Sequence, residues 1–334
     1  MEYRRFGRSD LQVSALALGC MAFGRRADEK ESFRIIAAAI DAGINLIDTA
    51  NIYQHGLSET IVGKALKSAG KRNDIILATK FSGCMDPNSP NRSMCSRYHI
   101  MRECEDSLRR LQTDHIDLYQ IHFLWPDTDL YELFGTLETL ARQGKIRYIG
   151  TSKWAPALIA EAQALCDRHG WIKPISEQAP YNLLDRRIED ELIWTCQRYG
   201  MAIIPWGPIG AGVLSGKYSS TGPFPKNSRF KEIGGRCNDE AIGRAEALNP
   251  LAAEKGVSLA EYCLAWVLRQ SGITSPITGP RTVDQLQSSL KALDIDFADE
   301  DYKRINEIAP QGSHVSNYWE GNVYSRLRAA SRIK

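Results

Sequence analysis

The stretch LIDTANIYQHGLSE (46–59) leaves an apolar run on Asp48 and reaches Tyr53 five positions later. Two further apolar runs, DIILATK (74–80) and IDLYQIH (116–122), end on Lys80 and His122. Taken singly, each residue has an ordinary reading, because an Asp closing a strand is a common turn residue. Taken together, a carboxylate, a phenol, an ammonium and an imidazole at consecutive strand ends form an acid catalyst. A free tyrosine, with a pKa of about 10, is a poor acid at neutral pH. A neighbouring ammonium stabilises phenolate, so Lys80 is expected to lower the Tyr53 pKa toward the working range. Asp48 would keep Lys80 charged and oriented, and His122 would donate to a carbonyl oxygen and fix its approach. Tyr53 could then protonate the alkoxide that forms as hydride reaches an aldehyde or ketone carbon. That chemistry needs no metal.

Such residues meet only if the fold gathers strand ends. Short β-branched runs alternate with amphipathic ones along the whole chain. Strands are expected at 15–19, 44–49, 74–80, 116–122, 146–152, 174–178, 202–206 and 274–279. Between them, EKESFRIIAAAIDAG stops at Gly43, SETIVGKALKSAG opens on a Ser58 cap and ends at Gly70, and YELFGTLETLARQG runs from Tyr131 to Gly144. Eight strand–helix pairs are the count of a (β/α)8 TIM barrel, whose strand C-termini share one rim. A doubly wound sheet would also alternate, but its GxGxxG is missing from LGCMAFGRR after the first strand. The glycine-rich GPIGAGVLSGKY instead follows the seventh strand, where barrels place a phosphate site. YRRFGRSDLQVS reads as an N-terminal β-hairpin turning at Gly7-Arg8, a plug under the barrel. Extra length falls at 219–257 and in a C-terminal tail, 310–334. A single domain spanning 1–334 is expected.

The 334 residues carry a formal net charge of +2 with signs mixed, which gives no footprint for nucleic acid. Eight cysteines without a CxxC pair and six histidines without clustering predict neither a disulfide framework nor a metal site. The start MEYRRFGRSD is not a secretory signal, and no window approaches a membrane span of about 20 apolar residues. A cytoplasmic protein is expected. His55, His99, His115, His169 and His314 are assigned surface or capping roles. The aromatics Phe23, Phe81, Trp125, Tyr318 and Trp319 are candidates for lining the substrate pocket, half of them equally able to pack loops, and Trp125 is favoured because its loop follows His122 directly.

With these residues in place, the chain resembles the aldo-keto reductases over nearly its whole length. DTANIYQHGLSETIVGKAL, LATK and LYQIH resemble three successive signatures of that family. The resemblance implies the tetrad Asp48, Tyr53, Lys80 and His122, and an extended NADP (NADPH), or NAD, bound without a Rossmann domain. It places Gly19, Cys20, Met21 and Asp48 at the cofactor, and Ser152, Lys153 and Gln178 at the carboxamide. Trp206 would lie on the nicotinamide face, with Gly207, Pro208, Ile209, Gly210 and Gly212 around the pyrophosphate and Lys217 beside it. Ser228-Arg229 resembles a pair that closes over the cofactor. In GPRTVDQLQSSLKAL, Gly279, Arg281 and Gln285 match the adenosine segment, Ser288 and Ser289 stand at its adenine positions, and Arg281 could meet a 2′-phosphate. This chain departs from the usual pattern with Lys153 for Asn, with Gly207 for Ser, and with Ser288-Ser289 for an acid and Asn. Phe123-Leu124-Trp125 replaces a polar stretch, which implies a more apolar substrate rim.

Three functions follow from the resemblance. The first is NADPH-dependent reduction of a small carbonyl compound. The second is an NAD-dependent oxidation of a sugar or polyol. The third is a binding role like that of potassium-channel beta subunits, a branch in which Asn replaces the tetrad histidine. His122 favours an enzyme. A homo-oligomer is compatible with all three.

Overall fold

A computed structural model describes residues 1–224 and 234–319. Its centre is a parallel eight-stranded sheet of β3 (Ala17–Gly19), β4 (Leu46–Asp48), β5 (Ile76–Phe81), β6 (Ile116–Ile121), β7 (Ile146–Ser152), β8 (Pro174–Gln178), β9 (Ala202–Ile203) and β10 (Ile277–Thr278). The strands lie in the order β10-β3-β4-β5-β6-β7-β8-β9. A parallel bridge between Trp206 and Ile277, with the Ile277 N–H donating to the Pro205 carbonyl at 2.8 Å, joins the two ends. This is the (β/α)8 barrel that the alternation predicts. All eight predicted strands are present, although β3, β4, β9 and β10 are shorter than expected.

The inside of the barrel follows from period-two alternation. Ala17, Leu46, Ile76, Ala78, Leu118, Ile175, Ala202, Ile204 and Ile277 make one buried cluster. Phe6 and Val13 join that cluster from the hairpin of β1 (Tyr3–Arg5) and β2 (Gln12–Ser14), so the hairpin is the expected plug. Gly7 makes the approach possible. At φ +59° its missing Cβ would stand 2.7 Å from the carbonyl oxygens of both Gly200 and Ile175. The alternate residues, among them Leu77, Phe81, Tyr119, Ile121 and Ile149, pack outward against the helices.

Helices surround the sheet, and several begin at the caps their sequences supply. Asp28 caps α1 (Glu29–Asp41), Ser96 caps α3 (Arg97–Leu111), and Asp129 caps α4 (Leu130–Arg142). Each such cap contributes about 1 kcal/mol. The helix α2 (Leu57–Ala69) differs from expectation at its start: Gly56, at φ +90°, is its N-cap, and Ser58 lies buried inside the first turn. The Ser58 hydroxyl donates to the Cys20 carbonyl at 2.8 Å and lies 2.9 Å from the Thr49 hydroxyl, tying α2 to two strand ends. Ser58 therefore fixes the rim instead of capping.

A buried ionic network locks α2 and α3 onto β5. Arg110 donates to Glu59 at 2.6 Å and also bonds Glu103, while the Thr79 hydroxyl donates to Glu59 at 2.6 Å. His99, assigned above to a surface or capping role, is instead fully buried on α3. Burial, helped by Arg92 and Arg102, pushes its pKa down from 6.5 to about 4. Seven of the eight cysteines are buried, and Cys84 is exposed. Among the described residues, no helix is long and apolar enough to cross a membrane.

Candidate active site

Strand alternation turns Asp48, Lys80, Gln120 and Gln178 inward at the C-terminal ends of β4, β5, β6 and β8, above the apolar cluster. Lys80 Nζ donates to Asp48 Oδ1 at 2.5 Å and to the Thr49 carbonyl at 2.8 Å. The amides of Gln120 and Gln178 both donate to Asp48 Oδ2 at 2.9 Å, and Gln178 also donates to Gln120 Oε1 at 3.1 Å. Asp48 thus receives hydrogen bonds on both oxygens. Gly150 on β7 leaves room for this layer, because a Cβ there would lie 2.9 Å from Gln120 Cγ and 2.6 Å from Ser176 Oγ. Gln120 was not singled out from the sequence. Its signal was present, since it precedes His122 by two on the same strand face.

Tyr53 opens a short turn, Tyr53–Gly56, after β4, and its hydroxyl lies 3.4 Å from Lys80 Nζ. The ammonium also sits 5.0 Å from the centre of the phenol ring. Burial raises the Tyr53 pKa above its ordinary value, and the opposing attraction of Lys80 does not overcome it. The expected lowering is therefore corrected: desolvation outweighs the ammonium and keeps the phenol protonated. Lys80 is itself fully buried, which opposes its charge, yet Asp48 and Tyr53 together raise its pKa. The ammonium persists because its carboxylate is in contact.

His122 faces Tyr53 edge-on, with ring centres 5.9 Å apart, and stacks on Phe123 at 4.2 Å. Burial, and then the charges of Lys80 and Lys153, push its pKa well below 6.5. The imidazole is neutral at physiological pH, and its buried Nδ1 has no hydrogen-bond partner. Asp48, Tyr53, Lys80 and His122 therefore do meet at one mouth.

The turn after β7 is held from below by a residue the sequence reading missed. Glu177, fully buried, accepts the Thr151 hydroxyl at 2.5 Å and the Trp154 N–H at 3.1 Å. Burial raises its pKa to about 7. Above it, the Ser152 hydroxyl donates to the Gln178 carbonyl at 2.9 Å. Lys153 adopts φ +59° and places its ammonium 4.5 Å from the Phe123 ring centre.

Around the rest of the mouth, Gly19 is paired with Asp48, and the Cys20 N–H donates to the Asp48 carbonyl at 2.8 Å. Cys20 is buried and Met21 is exposed. After β9 come Trp206, Gly207, the buried Pro208 and the half-buried Ile209, then the turn Gly210–Ser215. Within it the N–H groups of Gly210 and Gly212 donate to Gly207 and Ile209. Lys217 Nζ lies 3.1 Å from where a Gly212 Cβ would be. Beyond β10, Gly279 is exposed and the Arg281 N–H donates to Gln285 Oε1 at 2.9 Å. The Ser289 hydroxyl lies 2.8 Å from that of Thr278, whereas Ser288 is turned toward Glu261 at 2.9 Å. Arg229 lies outside the described residues.

Two aromatics assigned to the pocket are not on its wall. Phe81 follows the inward Lys80, so it points outward and stacks on Tyr119 at 4.6 Å. Phe23 is fully buried in the helix-side core. Trp125 is half-buried in the loop after His122.

A barrel whose mouth carries this tetrad matches what the comparisons find. The model of the Aldo/keto reductase family matches residues 15–310, and the chain belongs to that family. It is 38% identical over 318 residues to the uncharacterized oxidoreductase YrpG of Bacillus subtilis, an alignment covering 93% of this chain and 96% of the relative. It is 34% identical to versiconal hemiacetal acetate reductase of Aspergillus parasiticus (94% and 99% covered). A probable voltage-gated potassium channel subunit beta of Oryza sativa is 35% identical (88% and 92% covered). The chain is thus a member of an oxidoreductase family.

Proposed function

We propose that the chain is an NADPH-dependent carbonyl reductase in which Tyr53 is the general acid. The observation that carries this reading is a protonated phenol 3.4 Å from a buried ammonium that Asp48 keeps charged. A nicotinamide bound at the mouth supplies hydride. The protein supplies the rest. His122, held neutral, can hydrogen-bond a substrate oxygen through its ring without surrendering a charge. Tyr53 hands its proton to that oxygen. Lys80 then stabilises the phenolate left behind, and its own charge is held by Asp48. The raised Tyr53 pKa suits this role, since an acid must hold its proton until the alkoxide forms.

The mouth fits an extended dinucleotide. A Cβ added at Gly207 or Gly279 would meet nothing within 4 Å, so the rim is open where backbone must approach a ligand. Ser152 and the side-chain amide oxygen of Gln178, whose amide nitrogen is committed to Asp48, would hold the carboxamide. Trp206 would cover the nicotinamide, Lys217 would meet the pyrophosphate, and Arg281 would meet a 2′-phosphate. Phe123, Leu124 and Trp125 give an apolar substrate rim. We further propose a single-domain, cytoplasmic enzyme acting on a small aldehyde or ketone, or on the corresponding alcohol in reverse.

A second reading, a cofactor-binding regulatory subunit, draws on the relatives named as channel beta subunits. A panel of aldehydes, quinones and keto-compounds, with NADPH or NADH consumption followed by absorbance, separates the two. Turnover of at least one carbonyl supports the reductase. Saturable NADPH binding without turnover across the panel supports the regulatory role.

A further inference from the structure

The C-terminal residues 314–319 lie outside the barrel repeat, yet they pack directly behind Trp206. The Tyr318 ring is fully buried and meets the Trp206 ring edge-on at 6.0 Å. The Arg236 guanidinium sits over both, 5.2 Å from the Tyr318 centre and 5.9 Å from that of Trp206. The Tyr318 hydroxyl reaches the glycine turn, lying 3.0 Å from where a Cβ on Gly210 would stand. One side chain therefore touches both the aromatic wall and the adjoining loop.

The segment is anchored so that this contact is fixed. The Val315 N–H donates to the Leu184 carbonyl at 2.9 Å, and the Ser316 hydroxyl donates to the Arg236 carbonyl at 2.7 Å. Arg236 Nε donates back to the Asn317 carbonyl at 3.2 Å, and Asn238 donates to the Val315 carbonyl at 2.7 Å. On the opposite side, Asn182 donates to the Gly207 carbonyl at 3.0 Å, pinning the residue after Trp206. Trp206 is thus held at its backbone by the barrel and at its ring by the C-terminal segment.

We infer that Tyr318 is a positioning residue for the dinucleotide site: it sets the tilt of Trp206 and supports the Gly207–Gly212 loop. The inference rests on the cofactor assignment made above. A ring whose orientation is fixed before binding loses little freedom on stacking, so its loss should weaken ground-state binding more than turnover.

The test uses the full chain and NADPH as probe, with Tyr318→Leu, Tyr318→Phe and Arg236→Met variants. The Trp206 component of the fluorescence is isolated by subtracting the spectrum of Trp206→Phe. Tyr318→Leu should raise the NADPH Kd and KM by about tenfold, equivalent to about 1.4 kcal/mol, while kcat at saturating NADPH changes little. It should also shift the Trp206 emission to the red. Tyr318→Phe keeps the ring and should restore most of the affinity. A folded Tyr318→Leu with wild-type Kd and emission would overturn the inference. If that variant does not fold, Arg236→Met is decisive, since it removes the cation from both rings: unchanged Kd and emission would overturn the inference, and a shift in both would support it. A wild-type chain that shows no saturable response to NADPH would instead overturn the cofactor assignment. The Trp206 emission shift in the ligand-free Tyr318→Leu variant would then still decide the positioning role.

Discussion

The Asp48 carboxylate organises the site more than any other group. It neutralises Lys80 and receives two glutamine amides, so it holds four strands in register as well as one charge. Breaking a buried ion pair by removing one partner typically costs about 3–5 kcal/mol. Asp48→Asn should therefore lower the urea midpoint at unchanged slope, the shift multiplied by that slope equalling this cost. It should also abolish turnover, because Lys80 would lose the group that keeps it protonated. Equilibrium unfolding checks the first effect, and an unchanged midpoint would mean that the pair is not coupled to the fold. At this scale the sequence was highly legible. Strand-end position anticipated that Asp48, Lys80 and His122, with Tyr53 from the turn after β4, would share one mouth. The same rule of alternation, applied one residue further, would have excluded Phe81 and admitted Gln120. What could not be read was the balance at Tyr53, because desolvation depends on how tightly the mouth closes around the phenol.

The loops that present these residues are strained, and the strain is concentrated at the mouth. Gln54 and His55 after β4, Ser82 after β5, Lys153 after β7 and Ala211 after β9 all adopt positive φ without being glycine. Each such conformation costs about 1–3 kcal/mol and persists only where surrounding contacts enforce it. The enforcing contacts are visible for several loops: Glu177 under the Ser152–Trp154 turn, and Ser58 under the β3 and β4 ends. On α3 the buried His99 creates a pH dependence of stability. Its folded pKa of about 4 lies below the unfolded 6.5, so the unfolded chain binds a proton first. Stability contributed by this site is complete above 6.5 and is lost as pH falls from 6.5 toward 4, by up to about 3 kcal/mol. His99→Leu should flatten that acid limb in denaturation curves taken at several pH values. An equally steep limb would remove His99 as its cause. Neither His99 nor Glu177 announced itself in the sequence, because burial on the helix side of a strand is set by packing between elements far apart in the chain.

For the molecule as a whole, closing the sheet brings the β4 and β10 ends onto one rim, so a dinucleotide could span residues more than two hundred positions apart. With Arg281 at the far end of that span, Arg281→Ala should raise the Kd for NADPH more than that for NADH. Titrations of both cofactors measure the difference, and equal changes would mean that Arg281 does not read the phosphate. The barrel was legible because its strand-helix alternation is local, as was the hairpin plug from its Gly7 turn. Tyr318 stood among the candidate pocket aromatics, but its contact with Trp206 was not legible, since no periodicity marks residues 314–319.

The central claim is that Tyr53 delivers the proton in carbonyl reduction at this mouth. Its most direct test is the single-turnover rate of NADPH oxidation by an accepted carbonyl substrate, compared between wild type and Tyr53→Phe with both saturated in cofactor. The account predicts unchanged NADPH affinity and a rate lower by about 10²–10⁴-fold. A Tyr53→Phe rate close to that of wild type would contradict it.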